Sequence, residues 1–335
     1  MSASLVSSKN QKDLIRENGM SLSEHLLDPE LKEILDRKNQ FTLSDEVMLQ
    51  ARQEFKPSEM GNPEEFNVAR EEICIASEDA PDVRCLLYTP QKKTRELRSG
   101  YLHMHAGGYI FGAPEDADAN NLKICAELGA VVLSVDYRLA PEHPSPAPLD
   151  DCYAALAWIH SKCSDLQIDN KRIGIGGESA GGGMAAALAL QARNKGEYSI
   201  CHQHLTYPML DDRTGDLANP GDPLVGEFVW TRSSNQYAWK AYLGDSERRA
   251  PYVPARADSL EGLPATWLHT ATLDLFRDEN ITYAQRLMAA GVATELIVSS
   301  GGCHGFQGIN EADISRRYRR DFMEALARGL RVQSG

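Results

Sequence analysis

One serine in this sequence has the neighbours that a nucleophile needs. Ser179 is the centre of a Gly-Glu-Ser-Ala-Gly pentapeptide, which has the pattern Gly-x-Ser-x-Gly. The partly apolar residues 172–176 before it are typical of a strand, and the Ala- and Leu-rich run 182–190 after it is typical of a helix. In a tight strand-to-helix turn of this kind the serine takes strained backbone angles and projects its Oγ above the sheet. We predict Ser179 as a nucleophile, with Gly177 and Gly181 required because a Cβ at either position would collide with a neighbouring strand or helix.

A base must take the proton of that hydroxyl, and an acid must hold and balance the base. Where such a turn carries the serine of a Ser-His-Asp triad, the acid follows the serine and the histidine comes last. Of the nine histidines, five precede Ser179 and three lie within predicted strands. The remaining one, His304, follows the last predicted strand, at the edge where a parallel sheet places its chemistry. We therefore predict His304 as the base.

The acid is expected directly after the preceding strand, in the segment 270–279. Asp274 is the first acidic residue there and is the predicted triad member. Asp278 and Glu279 fit the first turn of the following helix, where a carboxylate suits the helix dipole without any catalytic role.

The oxyanion that forms during acyl transfer needs hydrogen-bond donors, each worth roughly 3–4 kcal/mol of transition-state stabilisation. The segment 103–108, His-Met-His-Ala-Gly-Gly, follows a predicted strand, where lipases and esterases carry a Gly-rich donor loop. We predict the backbone N–H groups of Gly107, Gly108 and Ala180 as the donors. An alternative takes His103 and His105 as metal ligands, but no further metal-like cluster accompanies them, so no metal is predicted.

Strand and helix patterns alternate from about residue 70 onwards. The segments 73–75 and 83–88 predict an antiparallel pair at the start of a sheet. The remaining alternation implies an α/β fold with a mostly parallel, eight-stranded sheet and helices on both faces. The later strands are predicted at 101–105, 130–135, 172–176, 200–207, 266–270 and 294–299, and the helices near 117–128, 148–163, 180–193, 279–290 and 312–329.

Two stretches lie outside this alternation. Residues 1–68 are polar, with apolar side chains between Leu26 and Leu35 at close to helical spacing. Residues 210–253 are charged, aromatic and interrupted by Pro and Gly. Because long insertions in compact domains are usually functional, we predict that the two stretches together form a helical lid. The alternative is a surface insertion packed on its own aromatic side chains.

Composition excludes several classes of protein. The chain of 335 residues suits one large α/β domain with an accessory piece. Its net charge of −13 argues against binding nucleic acid or an anionic membrane, both of which need a basic face. No apolar run is long enough to span a bilayer, and residues 1–20 show no signal-peptide pattern. Seven cysteines without C-x-x-C spacing predict reduced thiols in a cytoplasmic protein.

Five segments, in this order, resemble the hormone-sensitive-lipase-like esterases, also called bacterial family IV carboxylesterases, of the α/β-hydrolase fold. The resemblance covers the chain from His105 to Phe306. The matching segments are His105-Ala106-Gly107-Gly108, residues 136–147 with the sequence DYRLAPEHPSPA, the serine turn extended by Gly182, residues 274–279, and His304-Gly305-Phe306. Catalysis by a triad does not itself require the second segment, so we expect this segment to brace the loops near the site.

The resemblance implies a serine carboxylesterase that hydrolyses short-to-medium acyl esters through a Ser-His-Asp triad and an acyl-enzyme, without a cofactor. It also implies a two-part cap, at 1–68 and 210–253, over a catalytic domain formed by 69–209 and 254–335. A homodimer formed through the last strand is a further suggestion of the resemblance.

Two positions depart from the family pattern. Ala106 stands where the family usually has a second glycine, and Glu178 stands where aspartate is commoner. Both predicted donor glycines remain, and the change from aspartate to glutamate keeps the negative charge.

Two other functions stay open at this point. An amidase or lactonase would use the same triad, because the choice of bond depends on the cap and pocket. A non-enzymatic ligand receptor on this fold is the second alternative, although all three triad residues are present here.

Overall fold

The computed structural model describes residues 21–36, 43–76, 81–218 and 220–331. The parts of the predicted lid at 1–20, 37–42 and 219 lie outside the described residues. None of the described helices is both long and apolar enough to cross a membrane. The strands are β1 Val68–Ile75, β2 Val83–Pro90, β3 Arg98–Met104, β4 Val131–Val135, β5 Ile168–Glu178, β6 His202–Thr206, β7 Ala265–Ala271 and β8 Thr294–Ser299. The helices are α1 Glu33–Asp36, α2 Asp45–Glu54, α3 Asp118–Leu128, α4 Ala147–Ser161, α5 Ala180–Lys195, α6 Arg232–Leu243, α7 Arg277–Ala289 and α8 Asp313–Gly329.

The eight described strands form one sheet in the order β1-β2-β4-β3-β5-β6-β7-β8. β2 pairs antiparallel with both β1 and β4, and all pairs from β4 through β3 to β8 are parallel. The predicted α/β class, the early antiparallel pair and the mostly parallel sheet are confirmed. The prediction for β5 was too short, since β5 begins at Ile168 and includes the polar residues 169–171.

The inner strands of the sheet are buried on both faces. Side chains of neighbouring strand residues point to opposite faces, and Tyr101 and Leu102 of β3 accordingly belong to two different core clusters. The Leu102 cluster includes Met184 of α5, and the Tyr101 cluster includes Phe322 of α8. The parallel strands therefore meet at one carboxyl edge, enclosed by helices on either side.

The start of α5 packs unusually close to its neighbours. A Cβ at Gly183 would lie 2.1 Å from the carbonyl oxygen of Met209 and 2.2 Å from the Tyr109 hydroxyl. We therefore expect Gly183→Ala to lower the free energy of unfolding by about 3 kcal/mol, the upper range for overpacking a core. Chemical denaturation measures this, with Gly308→Ala as the control, since no atom lies within 4 Å of a Cβ there. Equal stability of the two variants would contradict the packing argument.

Three histidines lie in the core, as their strand positions predicted. His202 and His204 of β6 are buried, with 3.1 Å between His202 Nε2 and His204 Nδ1. The His204 ring stacks on Trp267 of β7, and His269 Nε2 lies 2.9 Å from the Ser299 hydroxyl. Burial lowers the pKa of His202 to about 4 and of His269 to about 3, and it lowers the pKa of His204 well below its usual value.

Because of these three histidines, we expect the folded protein to lose stability in mild acid. The unfolded chain takes up protons below about pH 6.5, whereas the folded chain resists protonation, so stability falls as the pH drops through the unfolded pKa. Each histidine contributes up to about 1.4 kcal/mol per pH unit. We expect urea unfolding at pH 7, 5.5 and 4.5 to show a shallower pH slope for His269→Gln than for the wild type. The variant His25→Gln, at an exposed position, is the control that keeps the wild-type slope.

The excursion 210–253 packs on the loop that follows β3. It contains α6, whose Trp239 and Tyr242 are both buried. The Tyr242 ring stacks on Tyr109 with 4.1 Å between ring centroids, and the Trp239 ring lies 5.5 Å from the same tyrosine. The aromatics of the excursion thus contact the catalytic domain as well as one another.

The excursion is also joined to the amino-terminal stretch. The Glu227 carboxylate accepts hydrogen bonds from the backbone N–H groups of Leu22 and Ser23 and from the hydroxyls of Ser21 and Ser23. Burial alone would raise the pKa of Glu227, but these hydrogen bonds outweigh it and lower the pKa. We call this set of contacts the Glu227 clamp. It ties together the two stretches from which the lid was predicted.

Candidate active site

The turn between β5 and α5 is strained at a single residue. Ser179 has φ 55° and ψ −120°, angles that a residue with a side chain rarely adopts. Its N–H donates to Thr206 O at 2.9 Å, and its carbonyl accepts from Met209 N at 3.0 Å. Backbone strain persists only where the surroundings fix it, and such sites are often functional.

Both glycines that flank the serine are needed for the approach of β3. A Cβ at Gly177 would lie 2.3 Å from the carbonyl oxygen of Met104, and one at Gly181 would lie 2.1 Å from the same atom. A side chain at either position would therefore push away the strand that leads into the predicted donor loop.

Three side chains from distant parts of the chain meet at this turn. His304 Nε2 lies 2.9 Å from Ser179 Oγ, and His304 Nδ1 lies 2.9 Å from Asp274 Oδ2. The second carboxylate oxygen of Asp274 accepts from Phe276 N at 2.8 Å. Because the carboxylate accepts the proton on Nδ1, Nε2 is left to accept the proton of the serine hydroxyl. All three side chains are buried, with Ser179 5 %, His304 7 % and Asp274 0 % exposed.

The imidazole of His304 is held by its surroundings. The Phe276 ring meets it edge-on at 5.2 Å, and the Tyr207 ring lies 4.5 Å away. The loop before it is pinned to the Asp274 segment, since Leu273 N donates to Gly302 O at 2.9 Å. His304 and Asp274 therefore lie on two loops that are hydrogen-bonded to each other.

Two glycines of the loop after β3 have positive φ angles, which suit a turn whose N–H groups are left free. Gly107 has φ 131° and Gly108 has φ 62°. The carbonyl of Gly107 accepts from Phe111 N at 2.8 Å, and a Cβ at Gly107 would lie 2.1 Å from the Phe111 oxygen. Within the described ranges, no residue accepts a hydrogen bond from the N–H of either glycine. The N–H of Ala180 has no partner within its own helix, because it stands in the first turn of α5.

The residues directly before the two glycines, His105 and Ala106, belong to the same loop. The His105 ring stacks on Tyr137 at 4.2 Å, its Nδ1 lies 2.8 Å from Ala106 O, and the Tyr137 hydroxyl donates to His105 O at 2.7 Å. Ala106 itself is exposed. His105 thus braces the start of the donor loop.

The histidine two residues earlier has different partners. His103 Nε2 lies 3.1 Å from Glu178 Oε2, and His103 Nδ1 lies 3.3 Å from the Ser134 hydroxyl. Glu178 therefore contacts His103 of β3 and not His304. Among the described residues no group of three His, Cys, Asp or Glu is placed to hold a metal ion.

The segment 136–147 braces the same loop. The Arg138 guanidinium forms a two-pronged ion pair with the buried Asp151, with Nη2 to Oδ1 at 2.7 Å and Nε to Oδ2 at 2.9 Å. Ala140 N then donates to Tyr109 O at 3.0 Å. The expected bracing is present. Sequence reasoning missed Arg52 of α2, which donates to the carbonyl of Ile110 at 2.8 Å and ties the amino-terminal stretch to this loop.

A cavity of about 540 Å³ adjoins the donor loop. Its lining includes Gly107, Phe111 and Tyr207, and Phe55 contributes to it from the amino-terminal stretch. Sequence reasoning missed Phe55, Phe111 and Tyr207. The position of Tyr207 directly after β6 was the available signal, since it lies at the carboxyl edge of the sheet.

A family model described as an alpha/beta hydrolase fold matches residues 101–308. That span includes all three meeting side chains. The chain belongs to the hormone-sensitive-lipase-like carboxylesterases of the α/β-hydrolase fold. The family predicted from the sequence is thereby confirmed, and relatives named as esterases confirm the enzyme class.

Individual relatives agree with this membership. The carboxylesterase NlhH of Mycobacterium tuberculosis is 33 % identical over 287 residues, which cover 84 % of this chain and 88 % of that protein. The esterase LipI of the same organism is 36 % identical over 62 % of this chain and 65 % of its own length. Among solved structures, a bacterial heroin esterase is 35 % identical with a TM-score of 0.81, covering 92 % of this chain and 99 % of that one.

Proposed function

We propose that this protein hydrolyses short-to-medium acyl esters with Ser179 as nucleophile, His304 as base and Asp274 as the acid of a triad. The observation that carries the proposal is the line of contacts from Ser179 Oγ through both ring nitrogens of His304 to Asp274, each 2.9 Å long. Such a line lets one proton move from the hydroxyl to the ring while the carboxylate stabilises the resulting cation.

The reaction runs in two halves. His304 Nε2 takes the hydroxyl proton as Ser179 Oγ attacks the ester carbonyl. The imidazolium then returns that proton to the leaving alkoxide, which departs as an alcohol and leaves an acyl-serine. Water repeats the attack with the same base, and the acid product and the free serine are formed.

The negative oxygen of each tetrahedral intermediate is bound by the N–H groups of Gly107, Gly108 and Ala180. These groups are fixed before substrate arrives, because Gly107 and Gly108 have their turn imposed by Phe111 and Ala180 begins a helix. Donors that need no rearrangement stabilise charge most strongly in a site closed to water. Each step is completed by protein groups and water alone.

The lid is formed, in this proposal, by residues 1–68 and 210–253 over a catalytic domain of 69–209 and 254–335. The Glu227 clamp and the contact of the Tyr237 hydroxyl with Asp45 at 3.0 Å support the grouping of the two stretches. A homodimer formed through β8 is part of the same proposal, since β8 is an edge strand of the described sheet.

A matched ester and anilide test which bond the protein hydrolyses faster. We expect p-nitrophenyl butyrate to be turned over at least about 100-fold faster than p-nitrobutyranilide, because an anilide resists attack more strongly and needs its nitrogen protonated before it can leave. A fluorophosphonate probe should label Ser179 stoichiometrically, as judged by mass spectrometry. Faster anilide turnover would make the protein an amidase, and a failure to label with no turnover of either substrate would favour a receptor.

A further inference from the structure

A strained turn lies above the donor loop, in the excursion 210–253. Val229 has φ 61°, and Trp230 N donates to Phe228 O at 2.7 Å, so the three residues form a γ-turn. A positive φ is unfavourable for a β-branched residue such as valine. Phe228 is buried, whereas Val229 is 46 % exposed. Strain of this kind is typical of segments that clamp a ligand or a site.

The turn places the Trp230 indole against the proposed catalytic groups. A Cβ at Gly108 would lie 2.5 Å from Trp230 Cη2, so the indole occupies the space directly next to a donor glycine. The centroid of the indole is 6.4 Å from that of the His304 ring. One large side chain therefore borders both the oxyanion donors and the base.

The indole is fixed in this place by a hydrogen-bonded support. Trp230 Nε1 donates to Asn235 Oδ1 at 3.2 Å. Asn235 is fully buried, and its Nδ2 donates to Thr214 O at 2.8 Å. Because both its backbone N–H and its ring N–H are hydrogen-bonded, the indole forms a rigid boundary of the site.

A cavity of about 540 Å³ adjoins the donor loop at Gly107, the neighbour of the glycine against which the indole lies. Phe111 and Tyr207 line this cavity together with charged side chains such as Lys123, and Trp230 does not line it. The two donor glycines therefore differ in their surroundings, with the Trp230 indole at Gly108 and the cavity at Gly107.

We propose that Trp230 determines specificity by keeping the ester substituent on its side small, while the other substituent occupies the cavity. The inference rests on the proposed function and narrows it to esters with one short group and one bulky group. The other two residues of the turn are less suited, because Phe228 is buried in the core cluster that includes Phe306 and Val229 is 46 % exposed.

Two substrate series test this inference. One varies the acyl group in p-nitrophenyl acetate, butyrate and octanoate, and the other varies the alkoxy group in methyl, butyl and benzyl butyrate. For Trp230→Ala we expect the ratio of kcat/KM for the largest to the smallest member to rise at least about 10-fold in one series and to stay unchanged in the other. The series that responds identifies the substituent that faces Trp230.

Controls separate this inference from the proposed function. Leu217→Ala, at a 98 % exposed position of the same excursion, should leave both ratios at the wild-type value. Titration with the fluorophosphonate gives the fraction of active sites, and Trp230→Phe, which keeps an apolar ring, should give an intermediate shift. Active Trp230 variants with both ratios unchanged overturn the inference alone. An unlabelled, inactive wild-type protein overturns the proposed function.

Discussion

Replacing Ser179 with alanine is expected to lower kcat/KM for p-nitrophenyl butyrate by about 10⁴-fold or more. The alanine has no Oγ to receive the acyl group, so only direct attack by water on a bound ester remains. Binding should persist, because the donor N–H groups of Gly107, Gly108 and Ala180 stay in place. Steady-state kinetics on purified protein measure the loss, and fluorophosphonate labelling should disappear with it.

A serine elsewhere gives the matched control for this change. Ser161 is exposed near the end of α4 and donates to Trp158 O. We expect Ser161→Ala to keep wild-type kinetics. A Ser179→Ala protein that is folded by circular dichroism and retains most of its turnover would refute the assignment of the nucleophile.

The second large effect is expected for Asp274→Asn, which should lower kcat about 10³- to 10⁴-fold with a much smaller change in KM. The amide presents an NH₂ group or a neutral oxygen to His304 Nδ1, so it neither favours the productive tautomer nor balances the imidazolium. The loss should fall on the chemical step, because Asp274 is fully buried behind the histidine and does not line the cavity beside the donor loop.

The neighbouring acid provides the comparison. Asp278 is 59 % exposed at its side chain and forms an ion pair with Arg277. Surface pairs of this kind contribute little, so Asp278→Asn should change kcat less than about twofold. If Asp278→Asn lost its activity while Asp274→Asn stayed active, the acid of the triad would be Asp278 of α7 and not Asp274.

The catalytic candidates were predictable because chain order and sheet position constrain them together. A serine in a Gly-x-Ser-x-Gly turn, an acid after the next-to-last strand and a histidine after the last one must all reach the same carboxyl edge. The strands themselves were recognisable from short apolar runs bounded by turns. This is why Ser179, Asp274 and His304 could be named before any distance between them was known.

Other features depend on contacts that a local pattern does not carry. The polar residues 169–171 showed no strand pattern, although they extend β5. Glu279 was assigned only to the helix dipole, yet it is buried and accepts from Leu210 N at 2.7 Å, and burial raises its pKa. Trp230 reaches Gly108 from more than a hundred residues away. Such packing is decided by the tertiary fold and not by spacing along the chain.

The Glu227 clamp has a practical consequence for anyone who shortens the protein from its amino end. Removing residues up to Ser23 would take away all four of these hydrogen-bond donors and so leave the oxygens of a half-buried carboxylate without the bonds that offset its burial. Glu227 stands only three positions before Trp230. The first sign of such a deletion should therefore be a changed preference among esters, seen while the sheet and its triad are still intact.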